Sequence, residues 1–518
     1  MCLFRNNSNS RNVCLKQVPG VLSEAKSTVQ ARHFCLCHPT VPYFLHTFLK
    51  HLIFALFMAI ICIAGGGAFA LDVPLGKIVD DSVLRTRMKD SWLLESRSAV
   101  LAKPSALFNL DGGGRVELRS EAGQDEFMVI FARELPANGN GNGAAATGQF
   151  PGWAQGSWIL TRRNTGEASR IRVFLRSDYH TYIQFRPLSA DKCQMDVVLY
   201  DAYVARSLPL PVSLERLYTM PLNEVLNLAG SKFPRRYFEP NPADYRGQRL
   251  FIANVRKRLP ELDFADDGAI DQTGSYVYIN TGLEQEGQPG LNCSGFAKWL
   301  IDGILRPVTG ERLEIPPLKA PFGNRGSSFT DLWEELRDPF FGLDWIRNLA
   351  SQAGTTLYSP ALGSLDEIEV RQEPFSQLIL RGKKSSVIYS YPGFMENAGY
   401  GIEGLQALLY TLAIDEPGKF YLAAVNNEMG PLSTSANPRG LPRMRQYFHV
   451  AALVPYFTEK GVFQIAVFES AAETSFNALK NRYPVREEFI KDENAIRIYP
   501  NGHHVSLVRI PIETMFDP

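Results

Sequence analysis

The chain has 518 residues, of which 45% are hydrophobic and 21% are charged, and its formal net charge is zero. This is the composition of an ordinary globular protein, long enough for about three domains. The first 70 residues hold six Lys/Arg and one Glu, so the remainder has 48 basic and 53 acidic residues, or a net charge of −5. A mildly acidic protein disfavours nucleic acid as a partner.

Residues 1–70 are predicted to be a secretory signal peptide with a long N-terminal extension. An apolar run of thirteen residues, Leu52–Ala64, follows Lys50, and small residues lead to Ala70, after which we expect cleavage. An uncleaved anchor is the alternative, because the run extended through Ala70 could nearly span a bilayer. The protein is therefore expected to be exported to the periplasm, cell envelope or medium, with no stable membrane insertion after cleavage.

Residues 71–207 have the pattern of an antiparallel β domain, either a sandwich or a partial barrel. Short runs of β-branched and aromatic residues alternate with turn signals such as Asn164-Thr165-Gly166. The predicted strands are Gly156–Arg162, Ser169–Arg176, Thr181–Leu188 and Gln194–Ala205.

A proline-rich linker with a helix at Ser213–Leu228 is expected over residues 208–243, and residues 244–518 form a second domain. That domain starts with a helix at Gln248–Leu259 and ends in strands, the last two joined by a hairpin turn at Asn501-Gly502. Helices followed by an antiparallel sheet indicate an α+β fold. The predicted strands are Lys419–Val425, Gln446–Phe457, Val462–Phe468, Ala495–Tyr499 and His504–Ile510.

Only two of the seven cysteines, Cys193 and Cys293, lie outside the predicted signal segment. Asn292 is a good N-cap residue, and an apolar helix follows Cys293 until Pro307. A helix N-terminus favours thiolate over thiol, so Cys293 is placed like a nucleophile. A lone cysteine is also often a small core residue, and a Cys193–Cys293 disulfide would silence any nucleophile.

A thiolate nucleophile needs a base, and the base needs an orienting partner. Of the four histidines after Ala70, His180 lies in the β domain, and His503 and His504 follow the predicted hairpin turn, where exposed polar residues are common. His449 instead begins an apolar strand, and a tight hairpin brings the end of the next strand, Glu469, beside it. Taken as an isolated pair, they also fit a core histidine and a strand-end charge.

Several of these segments resemble the NlpC-type cell-wall cysteine peptidases. Asn-Cys-Ser-Gly-Phe opens a helix, Tyr276-Val277-Tyr278 precedes it, Pro417-Gly418 opens a later strand, and His449-Val-Ala-Ala-Leu forms the next strand. The resemblance covers about residues 245–320 and 415–511, and it implies a papain-like catalytic domain. Asn292 stands where the family usually has Asp, Glu469 where it usually has His, Asn or Gln, and an insert of about residues 307–415 is added.

Carried over to this chain, the resemblance makes Cys293 the nucleophile, His449 the general base and acid, and Glu469 the orienting residue. Ser294, Tyr276 and Tyr278 become candidates for the oxyanion site or substrate groove. The implied reaction is hydrolysis of amide bonds in peptidoglycan stem peptides through a thioester, with no metal and no organic cofactor.

Two other interpretations remain. The same fold could act on a lipid ester or a protein amide, and apolar insert residues such as Trp333, Phe340, Phe341 and Trp345 would suit an apolar groove, although such residues are more often helix core. Alternatively, the protein is a secreted wall-binding protein whose catalytic domain has decayed. The insert itself predicts a helix at Phe329–Leu349, β runs around Gln377–Tyr391 and a helix at Gly401–Ala413.

Overall fold

The computed structural model describes residues 72–135, 148–322, 338–371, 394–396, 398–428, 445–483, 487–492, 495–500 and 503–518. The predicted signal peptide, Trp333, the predicted β runs around Gln377–Tyr391 and the Asn501-Gly502 turn lie outside these residues. Within them, no helix is both long and apolar enough to cross a membrane.

The first part of the chain forms one eight-stranded antiparallel sheet in which each strand pairs with its neighbour in sequence. Burial alternates at the start of the strands Arg115–Ala122 and Glu126–Arg133, whereas the later strands Tyr182–Pro187 and Cys193–Leu199 have runs of consecutive buried residues. Its elements are helices α1 (Ser82–Arg87) and α2 (Arg97–Leu101), and strands β1 (Ala106–Asn109), β2 (Arg115–Ala122), β3 (Glu126–Arg133), β4 (Trp158–Arg163), β5 (Ala168–Val173), β6 (Tyr182–Pro187), β7 (Cys193–Leu199) and β8 (Ala202–Leu210).

The single strand predicted at Gln194–Ala205 is wrong, because a two-residue turn divides it into β7 and β8. Leu199 pairs with Ala202 across Tyr200 and Asp201, which have φ of 47° and 65°. Positive φ at both positions defines a type I′ turn, which normally uses Asn-Gly or Asp-Gly. Tyr200 and Asp201 give no such signal, so the apolar pattern reads as one continuous strand.

The middle of the chain is helical. The helix predicted at Ser213–Leu228 is shorter than expected, since Pro221 separates a 3-10 turn at Glu215–Tyr218 from the α-helix. The elements are α3 (Leu222–Ala229), α4 (Arg246–Arg258), β9 (Gly268–Ile270), β10 (Tyr276–Tyr278), α5 (Cys293–Thr309), α6 (Ile315–Leu318), α7 (Phe341–Leu357), α8 (Leu365–Ile368), β11 (Tyr400–Gly401) and α9 (Leu405–Asp415), with further 3-10 turns between several of them.

A six-stranded antiparallel sheet ends the chain, in the order β11-β18-β12-β13-β14-β15. Together with the helices it confirms the predicted α+β class. Its later elements, in chain order, are β12 (Lys419–Glu428), β13 (Arg445–Phe457), β14 (Phe463–Glu469), β15 (Ala472–Ser475), α10 (Phe476–Arg482), β16 (Glu487–Asp492), β17 (Ala495–Pro500) and β18 (His504–Pro511).

The predicted hairpin between the last two strands is wrong. β17 pairs with β16 in a separate two-stranded sheet, whereas β18 lies between β11 and β12. Six of the eight residues of β18 are buried, including the polar His504 and Ser506, which is the environment of a central strand. Burial in the larger sheet therefore overrides the local turn signal.

Helix α5 does not end at Pro307, as the sequence predicted, but continues to Thr309 and is closed by Gly310 in the left-handed conformation. A proline lacks the N–H that would bond to the carbonyl four residues earlier, here Gly303. The backbone N–H of Asp517 donates to that carbonyl instead, at 2.8 Å. The ring of Phe516 fills the space that a side chain at Gly303 would occupy.

A buried ion pair holds the middle of α5. Lys298 Nζ lies 2.6 Å from Asp302 Oδ2, and both side chains are at most 2% exposed. Burial lowers the pKa of Lys298 and raises that of Asp302. The second carboxylate oxygen of Asp302 accepts from the Leu313 N–H at 2.8 Å, so the pair also fixes the segment that follows the helix.

In the insert, the helix predicted at Phe329–Leu349 is α7, which begins at Phe341 and ends at Leu357. Its final turns are kept helical by burial of Ala350, Ala353 and Gly354 against the core. Helix α7 of the insert is therefore packed into the core instead of lying on the surface.

The eight-stranded sheet and the C-terminal part share one continuous apolar core. At their contact, Arg176 Nη1 donates to the Tyr410 hydroxyl at 2.9 Å. Tyr200, from the turn between β7 and β8, packs its ring on Tyr410 and on Phe463, with centroids 5.4 and 6.2 Å apart. Phe463 begins the strand that ends at Glu469, so the sheet contacts the strand that carries a predicted site residue.

The backbone of β9 lies directly against the first turn of α5. A Cβ atom at Gly295 would overlap with the Gly268 carbonyl oxygen, and one at Gly268 would overlap with the Gly290 carbonyl oxygen. The Gly268 carbonyl accepts from the Asn292 N–H at 3.0 Å. Glycine at 268 and 295 is thus required by close approach of two backbones.

We expect Gly295→Ala to destabilise the protein by about 3 kcal/mol, because backbone atoms cannot move aside as flexible side chains can. The measurement is urea-induced unfolding followed by circular dichroism. Gly76→Ala is the matched control, since an added methyl group at Gly76 would meet no atom within 4 Å. Equal stability of the two variants would contradict the close approach.

Candidate active site

Cys293 is the first residue of α5 and is 6% exposed. The Asn292 side chain caps the helix by accepting from the Gly295 N–H at 2.8 Å. The first N–H groups of an α-helix have no acceptor within the helix, and the helix dipole adds positive potential there. Both effects favour a thiolate at Cys293.

His449 and Glu469 form a buried hydrogen bond, with Nε2 and Oε2 2.6 Å apart and side chains 9% and 6% exposed. The register explains the contact. Phe468 pairs with Ala452, so Glu469 lies one step further, diagonal to His449 on the same face of the sheet. The hairpin argument from the sequence thus leads to the observed pair.

Glu469 also binds a guanidinium, because its Oε1 accepts from Arg482 at the end of α10. Burial acts to raise the pKa of Glu469, but hydrogen bonds from His449 and Arg482 together lower it below its usual value. The carboxylate is therefore ionised at neutral pH and able to stabilise a positively charged imidazole beside it.

The elements that carry Cys293, His449 and Glu469 pack against one another. Helix α5, which begins at Cys293, contacts β13 and β14, which carry His449 and Glu469. The indole N–H of Trp345 in α7 donates to the Ser294 carbonyl at 2.9 Å and ties the first turn of α5 to the insert. Ser294 itself is buried, with 4% of its surface exposed.

The strand pairing separates the two candidate tyrosines. Tyr278 is opposite Gly268, the residue that touches the first turn of α5, whereas Tyr276 is opposite Ile270, further along β9. Tyr278 is therefore the better placed of the two to reach the start of the helix. The sequence spacing alone leaves this choice open.

Sequence reasoning missed residues beside the His449 ring. The Tyr483 ring lies 6.0 Å from that of His449 and 5.2 Å from that of His503. His503 and His504 are not exposed turn residues as expected, since His504 is 1% exposed in the central strand β18. His449 was recognised because it begins an apolar strand. The segment His504-Val505-Ser506-Leu507 has the same pattern, so His504 could have been recognised in the same way.

Cys193 and Cys293 are both thiols, so the disulfide alternative is wrong. Cys193 begins β7 in the core, and burial raises its pKa to about 11. At neutral pH it is almost wholly protonated and therefore unreactive. It provides an internal reference for the reactivity of Cys293.

The fourth histidine, His180, lies away from the His449 pair. Its Nδ1 is 2.5 Å from Asp201 Oδ2 in the eight-stranded sheet, and more than half of its side chain is exposed. The hydrogen bond to Asp201 raises the pKa of His180. This arrangement is that of a solvent-exposed ion pair.

Of the apolar insert residues proposed for a groove, the structure describes Phe340, Phe341 and Trp345, and these three are packed instead of lining an exposed groove. Phe340 is 4% exposed and Trp345 is fully buried, while Phe341 packs its ring against Trp345. The apolar character of these residues, which had suggested a lipid-binding groove, is therefore explained by their place in the helix core.

Residues 74–237, about a third of the chain, match a family described as "Domain of unknown function (DUF8515)". The match contains all eight strands of the first sheet and ends before α5. Comparisons with curated proteins and with solved structures give no match to the chain. The predicted site residues lie outside the matched region.

We expect Glu469→Gln to lower the free energy of unfolding by about 2 kcal/mol at pH 7, since hydrogen bonds to charged groups are lost. Because the folded-state pKa of Glu469 is depressed, its contribution is present above the unfolded value of about 4.3 and is lost as pH falls through the folded-state pKa. The difference from wild type should therefore shrink below about pH 4 in urea unfolding series.

Glu473→Gln is the control for that series. Glu473 pairs with Arg256 at 2.7 Å, but the two side chains are 31% and 48% exposed, so the pair contributes little. A pH-independent effect of Glu469→Gln would contradict an ionised Glu469 in the folded protein.

Proposed function

We propose that this protein is an exported cysteine hydrolase that cleaves amide bonds through Cys293, His449 and Glu469. The observation that carries the proposal is the buried His449–Glu469 hydrogen bond on the strands against which the Cys293 helix packs. Nucleophilic catalysis by a thiol requires a thiolate-favouring site and an oriented base, and the helix N-terminus and the His449–Glu469 bond supply these two parts.

In the proposed mechanism, His449 takes the thiol proton, and the Cys293 thiolate attacks the carbonyl carbon of the amide. Backbone N–H groups at the tip of α5 stabilise the resulting oxyanion. The C–N bond then breaks, His449 protonates the leaving amine, and a thioester to Cys293 remains. Water deprotonated by His449 cleaves the thioester, releasing the acid and restoring the thiol.

Glu469 holds the imidazole in one tautomer. Since Nε2 of His449 faces Glu469, Nδ1 is the nitrogen left for proton exchange with the thiol. The ionised carboxylate also stabilises the imidazolium that exists while the thiolate is free.

The proposed substrate is the peptide stem of peptidoglycan, and the proposed fold of the C-terminal part is papain-like. The support is the Asn292-Cys293-Ser294-Gly295 helix start, the His449 strand and the predicted export signal, all on one chain. Export would place the hydrolase in the compartment that contains its substrate.

We expect Cys293→Ala to abolish release of peptide fragments from purified sacculi, measured by liquid chromatography with mass spectrometry. Cys193→Ser should leave the activity unchanged, because Cys193 is a buried thiol of the other sheet. Retained activity in the Cys293 variant would disprove the mechanism.

Iodoacetamide reactivity separates a hydrolase from a decayed wall-binding protein. Cys293 should react faster near pH 7 than a model thiol, and the rate should fall in His449→Gln. A rate no greater than that of the model thiol would instead support the binding protein. Cys193 serves as the unreactive reference in the same digest.

A further inference from the structure

We propose that Arg482 is a positioning residue that keeps Glu469 in place as the anionic partner of His449. The inference rests on the proposed function and extends the triad to a fourth residue, reached through Glu469. Arg482 touches neither sulfur nor imidazole in this role, since its guanidinium binds the carboxylate oxygen opposite the one that binds His449.

The path of the chain after Glu469 returns Arg482 to that residue. Ser470 and Ala471, with φ of 48° and 62°, form a two-residue turn between β14 and β15. Strand β15 leads to α10, whose last residue is Arg482, and the guanidinium closes the segment onto Glu469 thirteen residues away. Left-handed φ in serine and alanine is unfavourable, so surrounding contacts hold this turn.

Attachment of α10 does not require the Arg482 ion pair. The Ser475 side chain caps the helix by accepting from the Ala478 N–H at 3.1 Å, and Phe476 and Leu479 are buried against the core. Arg482 therefore contributes chiefly to the environment of Glu469. This separation makes a variant of Arg482 informative about the site as well as about folding.

A buried carboxylate hydrogen-bonded only to an imidazole has two competing states. It can stay ionised beside an imidazolium, or it can take a proton and leave the imidazole neutral. Because Arg482 is permanently charged, its bond to Glu469 favours the ionised carboxylate. The consequence is an imidazolium that stays oriented at lower pH.

Arg482 is held from a second side by Tyr483. The guanidinium carbon lies 5.7 Å from the centroid of the Tyr483 ring, and that ring lies 6.0 Å from the ring of His449. The arginine, the tyrosine and the histidine thus pack around one carboxylate. The guanidinium side chain is 39% exposed, so recognition of an anionic group on the substrate is the competing role.

The experiment compares Arg482→Gln and Arg482→Lys with Lys480→Gln as the matched control. Lys480 is on the same helix and pairs with Glu403 at 3.7 Å, so its removal perturbs α10 without touching Glu469. Thermal unfolding of all variants reports whether the helix stays attached. The pH dependence of kcat/KM on a soluble stem peptide and the titration of the His449 ring by NMR are then measured.

For Arg482→Gln we expect the acid limb of kcat/KM to move up by about one pH unit, so that kcat/KM falls about tenfold at pH values below the wild-type inflection while KM is unchanged. The acidic inflection in the His449 ring shifts, which reports protonation of Glu469, should move in the same direction. Arg482→Lys should recover part of the shift, and Lys480→Gln should show none. A rise in KM with an unchanged acid limb would overturn the inference in favour of substrate recognition.

Failure of the proposed function is distinguishable from failure of this inference. If Cys293→Ala keeps full activity, the mechanism is wrong whatever Arg482 does. If the Cys293 variant is inactive but Arg482→Gln changes neither the pH profile nor the His449 titration, only the role of Arg482 is wrong.

Discussion

The start of helix α5 depends on contact between two backbones with no side chain between them. Gly268 in β9 accepts a hydrogen bond from Asn292, and Gly295 leaves room for that carbonyl. The contact fixes where the helix begins, and therefore where the Cys293 thiol lies relative to the six-stranded sheet. The glycine that follows Cys293-Ser294 has a steric explanation that does not depend on catalysis.

The buried carboxylate of Glu469 stays ionised because both of its oxygens accept hydrogen bonds. A carboxylate this deeply buried would normally bind a proton, yet partners on both of its oxygens lower its pKa. Those partners come from β13 and α10, so the charge state of one side chain depends on the docking of two separate elements. Displacing either element would change the charge state of Glu469 and so the electrostatic environment of the His449 imidazole, even if the backbone of the sheet were unchanged.

The local sequence pattern was enough to predict those features that neighbouring residues determine. The start of α5 follows from Asn292 and the apolar spacing after it, and the His449–Glu469 contact follows from hairpin geometry. The turn at Tyr200-Asp201 was missed because its residues lack the usual turn signal. The central position of β18 and the extension of α5 beyond Pro307 could not be predicted, because each is decided by residues distant in sequence. Arg482 was missed for the same reason, since nothing near it indicates which carboxylate it will meet.

The C-terminal half of helix α5 depends on contacts with residues 517 and 518, which cannot be seen in the helix's own sequence. The carbonyl of Gly303, deprived of its donor by Pro307, is satisfied by Asp517, and Arg306 binds the Pro518 carbonyl 212 residues further along the chain. During synthesis the helix leaves the ribosome long before these partners exist. The helix that begins at Cys293 is thus completed only after Asp517 and Pro518 have been made, so its packing depends on a contact 212 residues further along the chain.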